Sequence, residues 1–197
     1  GSMQKKWPLL LLSWYDENKR QLPWREQTDA YRTWVSEVML QQTRVEAVKD
    51  YYRRFLERFP AIENLAAATE EEVLQQWQGL GYYSRARNLW QGAKETVAQY
   101  GGEVPKDEKS LRALPGVGEY TAGAILSIAY QQAVPAVDGN VLRVFSRLYG
   151  LQEEVQTTAA KKMVAKLVSD VLPAKRPGDF NQALMDFGAA ICIPETP

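Results

Sequence analysis

An all-α fold follows from three features of the chain. Apolar residues recur at three- and four-residue steps along most of its length, helix start and stop signals punctuate them, and no two segments alternate as a strand pair would. Trp34, Val35, Val38, Met39 and Gln42 mark one helix, and Tyr51, Tyr52, Phe55, Leu56 and Phe59 a second. Thr69-Glu70-Glu71-Glu72 is a capping box opening a helix that carries Val73, Leu74 and Trp77, and Gly79 and Gly81 stop it. A long helix is predicted over 83–100, closed by Gly101-Gly102. Asp107 caps a short helix ending near Leu114, and further helices are predicted over 120–131, 139–149, 157–172 and 179–191. At the start of the chain, the run Leu9 to Leu12 reads as the buried face of a first helix. It is too short to span a bilayer, which takes about 20 apolar residues. The segment 132–137, with Pro135, is predicted to cross between two lobes.

Composition narrows the chemistry. The 197 residues are 45% hydrophobic, enough for a packed core in one large domain or two modest lobes. Gly1-Ser2-Met3 reads as a tag remnant ahead of a native start, with no signal peptide behind it. There are 24 basic and 24 acidic residues, so no basic excess advertises nucleic acid. With no histidine, imidazole catalysis and histidine-ligated metals are excluded. The single cysteine, Cys192, forms no internal disulfide and suits a reducing compartment.

A neutral chain can still grip an anion through its backbone. In Leu114-Pro115-Gly116-Val117-Gly118, two glycines around one apolar residue join two helices. They allow a tight turn and close approach, and the second helix presents N–H groups and the positive end of its dipole. Gly116, Val117 and Gly118 are therefore candidates for holding a DNA phosphate. A bare Gly-x-Gly would be an ordinary turn; the small residues Ala122, Gly123 and Ala124 behind it also permit close helix packing.

Two carboxylates stand out. Glu37 has Trp34, Leu40 and Gln41 as helical neighbours, and a partly desolvated carboxyl favours its protonated form, as a general acid needs. Asp138, in Val137-Asp138-Gly139-Asn140-Val141, is placed to cap the helix that follows, and capping N–H groups favour its ionised form. One protonated and one charged carboxyl is the division of labour that breaking a glycosidic bond requires.

The chain resembles the endonuclease III superfamily, and within it the adenine DNA glycosylases of the MutY type. The resemblance is carried by Leu22-Pro23-Trp24, the run 36–43, the run Gly79 to Asn88, Leu114-Pro115-Gly116-Val117-Gly118, Val137-Asp138-Gly139-Asn140-Val141 and Phe180-Asn181-Gln182-Ala183, in order and spacing. It implies two helical lobes with an active-site cleft between them. One is a six-helix barrel over 29–136 carrying a helix-hairpin-helix; the other joins 4–28 to 137–197. It implies that Glu37 protonates a flipped adenine at N7 and then helps to activate water. Asp138 either stabilises the positive charge on the sugar or bonds to it briefly, and the residues leave that open. Trp24, Leu40 and Gln182 would line the adenine pocket, Arg20 and Asn140 would support the catalytic groups, and Gln42 and Tyr82 would fill or wedge the base stack. Trp24 and Leu40 are also the most natural core residues of this set.

At Tyr120 the strand-nicking branch carries a lysine that forms a Schiff base. Tyrosine there implies hydrolysis without an efficient lyase step. The expected substrate is duplex DNA with adenine opposite 8-oxoguanine or guanine, handled by a monomer in a bacterial cytoplasm, with no membrane partner. The competing readings are a bifunctional pyrimidine glycosylase and a non-catalytic helix-hairpin-helix module. Family members also carry four cysteines holding a [4Fe–4S] cluster. Cys192 matches the first of them and Pro197 ends the sequence, so a chain cut from a longer parent and lacking the cluster is expected. A C-terminal domain that recognises 8-oxoguanine is expected in that parent too.

Overall fold

The computed structural model describes residues 2–150 and 158–191, and among them there is no strand. Eleven helices are formed by the described residues. They are α1 (Ser2–Asn18), α2 (Ala30–Leu40), α3 (Val45–Arg58), α4 (Ile62–Ala67), α5 (Glu70–Trp77), α6 (Tyr83–Tyr100), α7 (Glu108–Arg112), α8 (Glu119–Ala124), α9 (Gly139–Leu148), α10 (Thr158–Val171) and α11 (Pro177–Ile191). A 3-10 turn covers Pro23–Arg25, and α8 runs on into a π-helical turn, Ile125–Ala129. None of the described helices is long and apolar enough to cross a membrane. The chain divides into two compact units, residues 21–125 and residues 1–20 with 126–197.

In the unit 21–125, side chains fix the helix starts. Asp29 accepts from the Arg32 N–H at 3.0 Å. Thr69 and Glu72 cap each other's backbone N–H groups at 3.2 and 2.9 Å, as the capping box predicts. Gly101, left-handed at φ 64°, ends α6. Trp34, Phe55, Phe59, Trp77 and Leu89 are buried, with the Phe55 ring 5.1 Å from Phe59 and 6.0 Å from Trp77. Gly92 of α6 lets Trp34 lie against the helix, since a methyl there would sit 2.6 Å from the indole.

In the other unit, α1 packs on α11, and α9 on α10 and α11. Trp7 lies 5.8 Å from Phe180 and 6.2 Å from Phe145. Only half of the first apolar run is buried, correcting the sequence reading. Leu11 and Leu12 face inward while Leu9 and Leu10 are 64% and 68% exposed, because four consecutive residues circle a helix.

The helix predicted over 120–131 is α-helical only to Ala124. The π turn packs against a distant part of the chain. Gly178 backs onto Ser127 so closely that a methyl would lie 2.6 Å from the Ser127 carbonyl oxygen. The buried Asn181 donates from Nδ2 to Ser127 Oγ and to the Val134 carbonyl, both at 2.9 Å, and its Oδ1 accepts from Ala136 N–H at 3.2 Å. Those bonds hold residues 127–136 to α11, so the second division falls after Ile125 rather than at 136. The first falls before Gln21 rather than at 29, because Trp24 packs edge-on to Tyr52 of α3 at 5.6 Å.

Candidate active site

Glu37 projects from α2 and is 6% exposed. Its Oε2 accepts from the Tyr120 hydroxyl at 2.5 Å. The two residues are 83 positions apart, and α2 packing on α8 brings them together. The bond is short and charge-assisted in geometry, and it ties the buried carboxyl to a half-buried phenol. Leu40, the last residue of α2, is half-buried, and Trp24 is 7% exposed against Tyr52.

Tyr120 stands in the first turn of α8, directly behind the hairpin. Within the hairpin Leu114 and Val117 are buried, and the Val117 N–H donates to the Leu114 carbonyl at 3.2 Å. The two glycines do different jobs. Gly116 is left-handed at φ 74°, and a methyl there would lie 2.9 Å from Asn88 Cβ. Gly118, the N-cap of α8, has φ −99°, which any residue adopts, and a methyl there meets no heavy atom within 4 Å. The fold requires Gly116, whereas at Gly118 it has room for a side chain. Gly118→Ala is therefore expected to leave the free energy of unfolding within about 1 kcal/mol of the parent. DNA affinity, read by fluorescence anisotropy, should drop about tenfold or more.

Gln42 and Tyr82 occupy two turns of the same unit. Both are left-handed, at φ 58° and 49°, and Tyr82 is 60% exposed. A non-glycine residue held there carries about 1–2 kcal/mol of strain. Arg85, on the first turn of α6 and 8% exposed, lies between the turns. One terminal nitrogen donates to the carbonyls of Val38 at 2.9 Å, Met39 at 3.0 Å and Gln41. The other donates to Thr43 Oγ1 at 3.1 Å and the Gly81 carbonyl at 3.3 Å.

In the unit containing α9, Asp138 caps that helix as expected, its Oδ1 accepting from Val141 N–H at 2.8 Å. The expected ionised bias is corrected. Burial lifts its carboxyl above the ordinary 3.8, outweighing the downward pull of the Val141 N–H and the Arg20 guanidinium, with Asn140 N–H and Arg143 adding to that pull. Asn140 accepts from the Arg143 guanidinium, and Gly188 of α11 packs against it. Gln182 is buried on α11 and donates back to the Gly178 carbonyl at 3.2 Å.

Arg20 is held by Asp186, whose carboxylate is buried: the Arg20 N–H donates to Oδ2 at 3.0 Å and Nε to Oδ1 at 2.7 Å. The sequence reading missed Asp186, Arg85 and Asn181. The first left a signal as an acid in the apolar second half of its helix. The second stands in register with Leu89, Gly92 and Thr96 on the buried stripe of α6. Cys192 lies outside the described residues. As the single cysteine it does not supply the four thiolates of a [4Fe–4S] cluster, so the residues present do not fit that group.

A helical hairpin with an open glycine N-cap and a buried carboxyl bonded to it defines a class, and comparison with known proteins agrees. The chain belongs to the HhH-GPD superfamily of base excision DNA repair proteins, whose pattern matches residues 35–173, a stretch that includes Glu37, the hairpin and Asp138. It is 49% identical over 196 residues to the adenine DNA glycosylase of Rattus norvegicus, covering 95% of this chain and 38% of that protein. The chain thus spans well under half the length of that curated relative. Among solved structures, a thermostable thymine-DNA glycosylase matches with a TM-score of 0.87 at 30% identity, covering 98% of this chain and 89% of that one. A trapped endonuclease III–DNA covalent intermediate matches at 0.79 and 25% identity, covering 96% and 86%. The family drawn from the motifs and the all-α class are both borne out.

Proposed function

We propose that the chain removes adenine from duplex DNA by hydrolysing its bond to deoxyribose, acting where adenine faces 8-oxoguanine or guanine. The observation that carries this reading is the Tyr120 hydroxyl on the buried Glu37 carboxyl at 2.5 Å. Phenol and carboxyl can hand a proton to a base entering beside them, which turns adenine from a poor anionic leaving group into a neutral one. Tyrosine at this position offers no amine for a Schiff base, so the base departs by hydrolysis and the strand stays intact. Relatives that act on adenine, and a structural neighbour captured on DNA, support the substrate.

Asp138 serves the sugar. Its surroundings disfavour the lone negative charge, so a cation developing nearby is stabilised more than it would be by a solvated carboxylate. Arg20 and Asn140 support that carboxylate, while Trp24, Leu40 and Gln182 receive the base. Gln42 and Tyr82 enter the stack it leaves, and Gly116, Val117 and Gly118 hold a phosphate. Extruding the base costs roughly a few kcal/mol, and less at a mispair, which contributes selectivity. The enzyme works as a monomer wherever the cell keeps its duplex DNA, the bacterial cytoplasm in the simplest case.

Single-turnover assays on a duplex with adenine opposite 8-oxoguanine test the proposal. Free adenine is expected, with the strand nicked only after alkali. Release of thymine or damaged pyrimidines instead, or nicking before alkali, would sink it.

A further inference from the structure

We infer that Arg85 is a positioning residue whose guanidinium fixes the two left-handed turns presenting Gln42 and Tyr82, so that both side chains meet the DNA stack together. This rests on the reading above that Gln42 and Tyr82 enter the stack.

Three of the guanidinium's five acceptors lie in those turns. Gln41 and Thr43 flank Gln42, and Arg85 donates to both, through the Gln41 carbonyl and Thr43 Oγ1. Gly81 precedes Tyr82, and Arg85 donates to its carbonyl. The Tyr82 ring lies 5.5 Å from the guanidinium carbon, and the Arg85 N–H donates to the Tyr82 carbonyl at 3.0 Å. One planar group therefore holds the Gln41 carbonyl and the Thr43 hydroxyl on either side of one left-handed residue, and the Gly81 carbonyl and the ring beside the other. At 8% exposure the guanidinium is spent inside the protein, so it acts through its neighbours rather than on a phosphate. The residues it holds are the exposed ones: Gln42 and Tyr82 both face solvent. A lysine would keep the charge but lose the planar fork that reaches both turns at once.

The alternative is a plain closing bond for the end of α2, since Val38 and Met39 carbonyls are among the acceptors. A double-mutant cycle separates the two. The readout is the fluorescence of 2-aminopurine placed beside the mispaired adenine, which rises when the stack opens and needs no chemistry. At saturating protein, Arg85→Lys should cut that rise at least about fivefold while anisotropy shows DNA affinity changed by less than about threefold. Gln42→Ala with Tyr82→Leu should show the same loss, and adding Arg85→Lys to that pair should change nothing further. Additive loss, with a lower unfolding midpoint, would show a bond that merely supports α2 and would overturn the inference. So would full stack opening by Arg85→Lys, or no stack opening by the unmodified chain. Should Arg85→Lys fail to fold, Thr43→Val removes one tether without touching charge, and a loss of about twofold to threefold is expected; no loss would overturn the inference. Stack opening without adenine release would refute the proposed reaction and leave Arg85's role standing.

Discussion

Glu37→Gln leaves excision at least about a thousandfold slower in single turnover, with DNA affinity within about threefold of the parent. The substitution is nearly isosteric at a side chain 6% exposed, so packing is kept. The glutamine carbonyl still accepts from the Tyr120 hydroxyl, but the amide N–H is too weak an acid to deliver a proton. Losing general acid catalysis alone costs about 10²–10⁴ in rate. On the proposed reading the phosphate is held by the backbone of Gly116 to Gly118 and not by this carboxyl, which is bonded to the hairpin helix through the Tyr120 hydroxyl. Parallel loss of binding, excision and the unfolding midpoint would assign Glu37 to folding instead.

Asp138→Asn separates stability from chemistry. Asparagine caps a helix about as well as aspartate, so the bond to the Val141 N–H survives. The charge does not, and excision is expected to fall about a hundredfold or more. Stability moves the other way. Burial raises the folded carboxyl above its ordinary 3.8. The aspartate's contribution is then intact below that ordinary value and lost as pH rises through the folded one. The asparagine variant should match the parent in strong acid and exceed it at neutral pH, the gap opening between those two values and then staying constant. Asp138→Ala should lose excision as well and also about 1 kcal/mol of cap. Thermal unfolding from pH 3 to 7 beside single-turnover rates checks all three; an asparagine variant less stable than the parent at pH 7 would show that the buried charge is satisfied.

How far the chain can be read from its sequence follows from the range of each interaction. Capping is local, and so the starts at Thr69 and Asp138 and the glycine stop at Gly101 are where the sequence puts them. The helix over 83–100 has its predicted limits, because its signals lie within a turn of its ends. The π turn escapes any local reading, since the residues packed against it, Asn181 and Gly178, lie more than 50 residues away. Tyr120 was legible as a marker of reaction type but not as Glu37's partner, because spacing says nothing about which helices pack. Asp138 was legible as a cap, yet its acidity followed burial, which three neighbouring residues do not reveal.

Asn181 ends up doing what a neighbouring strand would do. Its head group donates to one peptide carbonyl, Val134, and accepts from one peptide N–H, Ala136, and so spells out half a ladder to a segment with no sheet beside it. Only a carboxamide offers both polarities on one flat group of that size. Aspartate, differing by a single heavy atom, would face the Val134 oxygen with lone pairs alone, and leucine would strand both peptide groups. Where the peptide enters its last stretch before Asp138 is thus decided by the rotation of one amide plane, not by any preference of the peptide itself.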